Sequence, residues 1–251
     1  LKIKREERIM FEVSRKELMR KSSVMQGITG RKTTLPILNN VFMKWEGGFL
    51  YLTGTDLETT IQESLEVKVY KEGKASVSSR KLFEIAKELS GESVKIQGKE
   101  NYWINIQCEK AVFNLSGLDP DEFPSLPAPE GPFVSVSPQT LKEMIEKTAF
   151  AAASEERSYG GLNNVLFAWQ GNGDSGKLRL VATDGYRLSL IEKQTPFVKG
   201  TDVGVMIPKR SILEMKKVLE ENEDLEEVGI YFSASNGFFP SRFLFGYCPS
   251  F

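Results

Sequence analysis

The sequence predicts an α+β fold built twice over, and three observations carry that prediction. The pattern Leu38-Asn39-Asn40-Val41 followed by Gly54-Thr55-Asp56-Leu57 recurs as Leu162-Asn163-Asn164-Val165 followed by Ala182-Thr183-Asp184-Gly185, so the chain contains an internal repeat. Its period, about 125 residues, is that of a whole domain rather than a solenoid unit. Each copy holds two stretches with apolar residues at helical spacing, set among short alternating runs joined by glycine-containing turns, as expected of helices mixed with hairpin strands.

Two further anchors hold the register. Val13-Ser14 with Leu18 answers Val136-Ser137 with Leu141, and Val77-Ser78-Ser79-Arg80 with Glu84 answers Ile207-Pro208-Lys209-Arg210 with Glu214. The interval from the Asn-Asn anchor to the Thr-Asp anchor is four residues longer in the second copy. The turns account for this, since Gly47-Gly48 corresponds to the longer Gly171-Asn172-Gly173-Asp174-Ser175-Gly176.

Taken in order, residues 1–9 are a charged extension outside the repeat, and Met10 is the expected start of the fold. Strand Phe11-Glu12-Val13 runs into Ser14, which with Glu17 forms a predicted capping box for a helix over 14–26, closed by Gly27 and Gly30. A loop holding Arg31 leads to Leu35-Pro36-Ile37-Leu38, and the runs 41–45 and 49–53 flank Gly47-Gly48 as a hairpin. A strand over 59–69 follows. Next comes a helix opening at Ser78 or Ser79 with Leu82, Phe83, Ile85, Ala86 and Leu89 at helical spacing, then two or three strands between Val94 and Leu115.

A proline-rich linker over 124–132 ends domain I, residues 10–130. The second copy predicts a strand at 134–136, a helix at 138–153, a hairpin around 171–176, a strand near Leu188, a helix at 208–219 and a strand at 228–232. Register is lost after Phe239. Domain II, 131–239, is therefore read as incomplete and 240–251 as an aberrant tail, as a truncated or frameshifted reading frame would produce.

Composition narrows the function. The 251 residues include no histidine, which removes Ser-His-Asp and Cys-His nucleophile systems and His-ligated metal sites. Cys108 and Cys248 provide no disulfide framework, and Cys108 lies in an alternating run as a small apolar filler. No apolar run reaches the roughly 18 residues of a membrane helix, so the expectation is a soluble, cytoplasmic protein with no membrane contact. Net charge is −1, yet its distribution is uneven: the four predicted helices hold thirteen basic and six acidic residues, leaving twenty basic and twenty-eight acidic elsewhere. Exposed helices carry lysines in any case, but four basic helices at duplicated positions point to a shared surface that touches phosphates without reading bases.

Two motifs are decoys. The run from Gly171 to Lys177 matches G-x-G-x-x-G and nearly matches a P-loop, but Leu178 stands where the metal-binding Ser or Thr belongs. An alternating strand follows it, whereas both motifs need a helix whose N-terminus faces phosphate. Asp56 and Asp184 form a symmetric pair, and each is expected to shape the same turn by accepting nearby backbone N–H groups. A phosphoryl-transfer enzyme using them is disfavoured, since they are copies of one residue with no third ligand at helical spacing.

Thr55-Asp56-Leu57-Glu58, Leu35-Pro36-Ile37-Leu38-Asn39-Asn40 and Ala182-Thr183-Asp184-Gly185-Tyr186-Arg187-Leu188 together resemble the bacterial DNA polymerase III beta subunit, the sliding clamp, over residues 10–239. The resemblance implies a DNA-clamp fold, with two helices of each domain packed on antiparallel sheets, and two subunits closing head to tail around duplex DNA. It implies a non-enzymatic processivity factor without cofactor or metal, whose partners are sequence-independent double-stranded DNA, the polymerase III alpha subunit and the clamp loader. Leu162, Thr183, Tyr186, Arg187 and Leu188 match part of the family's peptide-docking cleft, where leucines provide apolar walls, Tyr186 a rigid face and Arg187 a donor. Arg31, Arg80, Lys209 and Arg210 are the implied DNA-facing residues. The family's third domain has no counterpart here, so the chain is expected not to close a ring as it stands; the alternative is a stand-alone peptide-binding fragment without DNA function.

Overall fold

Along Val41-Phe42-Met43-Lys44-Trp45 the odd-numbered residues are buried and Lys44 is exposed, the two-residue period of a strand with one face on a core. A computed structural model of the chain describes residues 10–29, 34–57, 59–124, 133–154, 161–172, 175–196, 203–221, 228–232, 236–238 and 244–249. It has two units, Leu1–Leu126 and Pro127–Phe251.

Unit 1 begins with β1 (Phe11–Ser14) and α1 (Arg15–Gln26), then a 3-10 turn (Pro36–Asn39), β2 (Asn40–Glu46), β3 (Phe49–Thr55), β4 (Thr60–Glu66), β5 (Lys68–Val69) and β6 (Gly73–Ser78). It continues with α2 (Ser79–Glu88), β7 (Ser93–Gly98), β8 (Ile104–Cys108), β9 (Ala111–Leu115), β10 (Gly117–Leu118) and a 3-10 turn (Pro120–Glu122). The strands form one antiparallel array in the order β5-β1-β7-β8-β9 and another in the order β10-β6-β2-β3-β4. The helices lie together, with Gln26 Nε2 donating to Ser79 Oγ at 2.9 Å. Leu18 and Met25 of α1 and Leu82 and Ala86 of α2 are buried with Met43, Trp45, Leu50 and Leu52 of the sheet. The Trp45 ring lies 5.0 Å from that of Phe11, and its indole N–H donates to the Lys71 carbonyl at 2.8 Å.

The capping box predicted for α1 does not form. The Ser14 side chain makes no cap bond, and Glu17 pairs instead with Arg20 at 2.8 Å. The reason lies in the sheet: Ser14 is still paired as a strand residue with Ser93, and the Arg15 N–H finds its acceptor in the Glu92 carbonyl at 2.8 Å. Ser78 and Ser137 do cap their helices, accepting the N–H groups of Lys81 and Thr140.

Unit 2 contains β11 (Phe133–Val136), α3 (Pro138–Thr148), a 3-10 turn (Ala149–Ala151), β12 (Asn164–Asn172), β13 (Ser175–Thr183), β14 (Leu188–Pro196) and β15 (Val203–Pro208). Then come α4 (Lys209–Glu221), β16 (Val228–Phe232), β17 (Asn236–Phe238) and β18 (Leu244–Pro249). The order β14-β13-β12-β15 reproduces β4-β3-β2-β6, and the antiparallel pair β11–β16 reproduces β1–β7. Asn164 lies opposite Pro208 as Asn40 lies opposite Ser78, so the repeat holds to the single residue. Trp169 takes the place of Trp45, is buried, and donates to Thr195 Oγ1 at 3.2 Å.

Helix α3 stops five residues before the predicted end at 153. There the Thr148 hydroxyl bonds back to the Met144 carbonyl at 2.7 Å and the chain tightens into the 3-10 turn. Helix α4 runs to Glu221 and so takes in Glu220 and Glu221. The helices therefore carry thirteen basic and eight acidic residues rather than thirteen and six, and unit 1 supplies most of the excess. Strand β18, which lies in the stretch after Phe239 that the repeat left unaccounted for, pairs back with β17. The linker expected over 124–132 falls, apart from Pro124, on residues 125–132, outside the described residues.

One buried charge pair ties α1 to the sheet. Lys21 Nζ donates to Glu63 Oε2 at 2.5 Å, with the two side chains 3% and 0% exposed. Removing one partner strands a charge away from water, whereas replacing both with apolar groups removes the desolvation cost as well. We expect Glu63→Ala to lower unit 1 stability by about 3–5 kcal/mol in chemical denaturation, and Lys21→Met with Glu63→Leu to restore most or all of it.

Candidate functional site

The reversal from β13 to β14 is built by two side chains that stand in for backbone. Thr183 Oγ1 donates to the Arg187 carbonyl at 2.7 Å and accepts the Gly185 N–H at 3.1 Å. Asp184 Oδ1 accepts the N–H groups of Tyr186 and Arg187 at 3.1 and 3.0 Å, and the Asp184 N–H donates to the Arg187 carbonyl at 3.4 Å. Gly185, at φ 87°, supplies the left-handed step that a side chain resists. The symmetric aspartates thus have the turn-forming role expected from sequence: in unit 1 Thr55 Oγ1 donates to the Thr59 carbonyl at 3.1 Å and Asp56 Oδ1 accepts the Thr59 N–H at 2.7 Å. Leu57, at φ 74°, occupies the position of Gly185.

The turn presents its apolar groups outward. Tyr186 stands at the tip, 99% exposed, so nothing among the described residues of unit 2 covers its ring. Leu188 and Leu190 are 65% and 51% exposed and alternate with Ser189, whose hydroxyl donates to the Lys147 carbonyl at the end of α3, and with Ile191, which packs on the core. One face of β14 is therefore committed to the helix while the other stays open. Leu162 is half-buried beside the turn; a Cβ added to Gly185 would lie 3.8 Å from its Cδ1. The Leu162 carbonyl accepts the Ala153 N–H at 2.9 Å, which holds the segment after α3 against it.

Arg187 is fixed rather than loose. Its Nε donates to Asp184 Oδ2 at 2.9 Å, its Nη2 donates to the Phe150 carbonyl at 3.0 Å, and its guanidinium lies 5.5 Å from the Phe150 ring centre. Phe150 is itself 54% exposed. All five residues expected at the cleft, Leu162, Thr183, Tyr186, Arg187 and Leu188, thus lie at this one reversal, with Thr183 building it rather than lining it. Sequence reasoning missed Phe150 and Leu190. Each left a signal: Phe150 is the one large side chain in the run 149–153 of otherwise alanines, and Leu190 sits two residues from Leu188 on a strand.

The equivalent surface of unit 1 is different. Thr60 and Gln62 stand where unit 2 has Leu188 and Leu190, and Gln62 Nε2 donates to Thr53 Oγ1 at 3.0 Å. The duplication keeps the turn and changes its lining.

Residues 9–127 match the DNA polymerase III beta subunit N-terminal domain, and residues 135–249 match its central domain. The chain belongs to the DNA polymerase III beta subunit family. The beta sliding clamp of Pseudomonas aeruginosa is 32% identical over 222 residues, covering 88% of this chain and 59% of that protein. That of Halalkalibacterium halodurans is 32% identical over 236 residues, covering 87% and 60%. The crystal structure of a DNA polymerase sliding clamp from Bacillus subtilis aligns with a TM-score of 0.87 at 26% identity, covering 97% of this chain and 65% of that one. The DNA polymerase III subunit beta of P. aeruginosa aligns at 0.85 with 29% identity. The fold is that of the sliding clamps, and the chain spans 59–60% of the length of these two curated relatives.

The four residues expected to face DNA are placed unequally in this beta-subunit chain. Arg80 on α2 is 81% exposed and paired with Glu84 at 2.8 Å, which raises its already high pKa. Lys209 is half-buried, its ammonium donating to the Ala152 carbonyl at 2.8 Å, and so braces the segment behind Leu162. Arg210 is half-buried, and Arg31 lies outside the described residues. Lys16, Lys81 and Lys87, which the sequence reading did not single out, are exposed on α1 and α2. Among the described residues no cluster of three or more Cys, Asp or Glu side chains is placed to hold a metal ion, and no helix is long and apolar enough to cross a membrane.

The Asp184 carboxyl lies below its ordinary 3.8, first because the Tyr186 N–H bonds to its charged form and then because Arg187 contributes backbone and side-chain bonds. A depressed folded-state pKa means that this support is complete above 3.8 and is lost as pH falls through the lower value. We expect the Tyr186 and Arg187 amide resonances to titrate together at a pH below 3.8, and Asp184→Asn to abolish that titration in an NMR pH series.

Proposed function

We propose that this chain acts as a DNA polymerase processivity factor, a non-enzymatic platform that tethers replication proteins through the β13–β14 reversal of unit 2. The observation that carries this reading is the divergence between two copies of one turn. Both keep the Thr-Asp frame, and only unit 2 surrounds it with Tyr186, Leu188, Leu190 and Phe150 exposed together. A rigid aromatic, aliphatic walls and a fixed guanidinium are what a short peptide with apolar anchors needs. Arg187 has a five-donor fork, two of whose N–H groups hold it in place, so it meets peptide carbonyls without first being ordered. The polymerase III alpha subunit and the clamp loader are the partners that the family implies.

Two features support contact with duplex DNA and with a second subunit as the other half of the activity, ring closure by this chain being a separate question that retention on circular DNA answers. Lys16, Arg80, Lys81 and Lys87 give unit 1 a basic helical surface suited to phosphates and not to bases. Strand β9 is an edge of its sheet among the described residues and exposes Val112 and Phe113, the form of an edge that a second subunit covers. We place the protein in the cytoplasm, where replication proteins meet bacterial DNA, and propose domains over 10–130 and from 131 on.

The test is binding of a fluorescent polymerase-tail peptide to the 251-residue chain. We expect Leu188→Asp and Arg187→Ala each to weaken binding at least tenfold, about 1.4 kcal/mol, and Thr60→Ala at the equivalent place in unit 1 to leave it unchanged. Equal binding by Leu188→Asp would overturn the reading. Retention on nicked circular against linear DNA separates a ring from a peptide-binding module: escape from linear DNA alone marks a closed ring, and equal release from both marks the module.

A further inference from the structure

Unit 2 carries an ion-pair lattice that joins three elements. Glu143 of α3 accepts Lys147 at 2.6 Å and Lys193 of β14 at 2.8 Å. Glu146, one turn on, accepts Lys216 of α4 at 2.9 Å; Lys216 also lies 3.6 Å from Glu220, and Lys142 lies 3.4 Å from the same carboxylate. Three acids thus gather four lysines. The hydrogen bonds from Lys147 and then Lys193 hold the Glu143 carboxyl down to about 2, so it stays charged at any working pH.

Stability is a poor account of this arrangement. Every side chain in it is between 27% and 61% exposed, and ion pairs open to water contribute little to folding. Among the described residues unit 1 shows no such exposed lattice: Arg20 pairs with Glu17 and Arg80 with Glu84 inside one helix, the pair that leaves a helix, Lys21 with Glu63, is buried, and Lys16, Lys81 and Lys87 take part in no ion pair. A phosphate approaching α1 and α2 meets ammonium groups that carry only counterions. On unit 2 it must displace a carboxylate, which then stays behind as a like charge beside the phosphate.

We infer that Glu143, Glu146 and Glu220 hold Lys142, Lys147, Lys193 and Lys216 back from duplex DNA, which makes the helix surface of unit 2 a deliberately weak phosphate contact. This rests on the reading that duplex DNA is the partner. A factor that travels along the duplex needs contacts that exchange, and internal carboxylates keep four lysines from each gripping a phosphate.

The test uses the full chain and a short labelled duplex, with fluorescence anisotropy followed across a NaCl series. Glu143→Gln with Glu146→Gln and Glu220→Gln should tighten binding at least tenfold. The log-log salt slope should steepen by about 3–4, since each phosphate contact adds roughly 0.9. The charge-matched control Glu66→Gln with Glu100→Gln and Glu109→Gln, three exposed acids away from the helices, should change affinity less than about threefold. Glu143→Gln alone, which releases only Lys147 and Lys193, should give about half the slope change and serves if the triple variant does not fold. A triple variant that binds no tighter than the control overturns the inference. Lys81→Gln with Lys87→Gln tests the DNA reading by itself: if wild-type binding is unaffected while the triple variant still tightens, the unit 1 surface falls and the lattice stands.

Discussion

The Thr183 hydroxyl and the Asp184 carboxylate make the hydrogen bonds that a sharp reversal between two strands would otherwise leave unmade, and the exposed apolar surface of unit 2 hangs from that substitution. An Asp side chain reaches two and three residues ahead to collect N–H groups, and a Thr hydroxyl both gives and takes. The reversal is thereby fixed without using Tyr186 or Leu188, and of its outward side chains only Arg187 bonds to the frame, at Asp184 Oδ2. Tyr186, Arg187 and Leu188 are left to project from a rigid frame, and Arg187 is locked a second time by the Phe150 carbonyl. A binding surface held in this way loses little freedom when a partner arrives.

Duplication explains why that frame exists and divergence explains what it is for. Leu57 accepts a left-handed backbone at the position where unit 2 has Gly185, so unit 1 keeps the shape of the turn at some cost in strain. The lining could change because the bonds from the Thr and Asp side chains to the turn backbone recur in both copies, even though Thr60 adds a bond to Thr55 in unit 1 that Leu188 cannot make in unit 2. The same logic extends to the cores, where Trp45 and Trp169 occupy one position and are both buried while their indole N–H groups find different acceptors.

Charge follows a parallel course. The count of basic residues on the helices suggested one uniform surface, but the side chains divide into those facing water alone and those facing carboxylates. Lys21 is buried against Glu63, Lys209 braces a carbonyl, and four lysines of unit 2 are shared among three acids. A net charge summed along a helix therefore overstates what a phosphate would meet, because it ignores which acids from neighbouring elements reach the same place.

The sequence by itself determined the repeat, its register, the two helices of each copy and the Thr-Asp turns, since all of these arise from local periodicity and short-range side-chain bonding. It also determined which turn diverges between the copies, because Gly185-Tyr186-Arg187-Leu188 departs from Leu57-Glu58-Thr59-Thr60 against a matched background. Tertiary structure alone decided the rest. The Arg15 N–H at the start of α1 went to the Glu92 carbonyl, and Phe150 came to lie under Arg187, 37 residues away in sequence. Burial of Lys21 and the pairing of Lys193 with Glu143 likewise required a strand to arrive beside a helix. The physical reason is common to all of them: a polar group bonds to whatever acceptor the fold brings within about 3 Å, and long-range contacts of that kind leave no period in the chain.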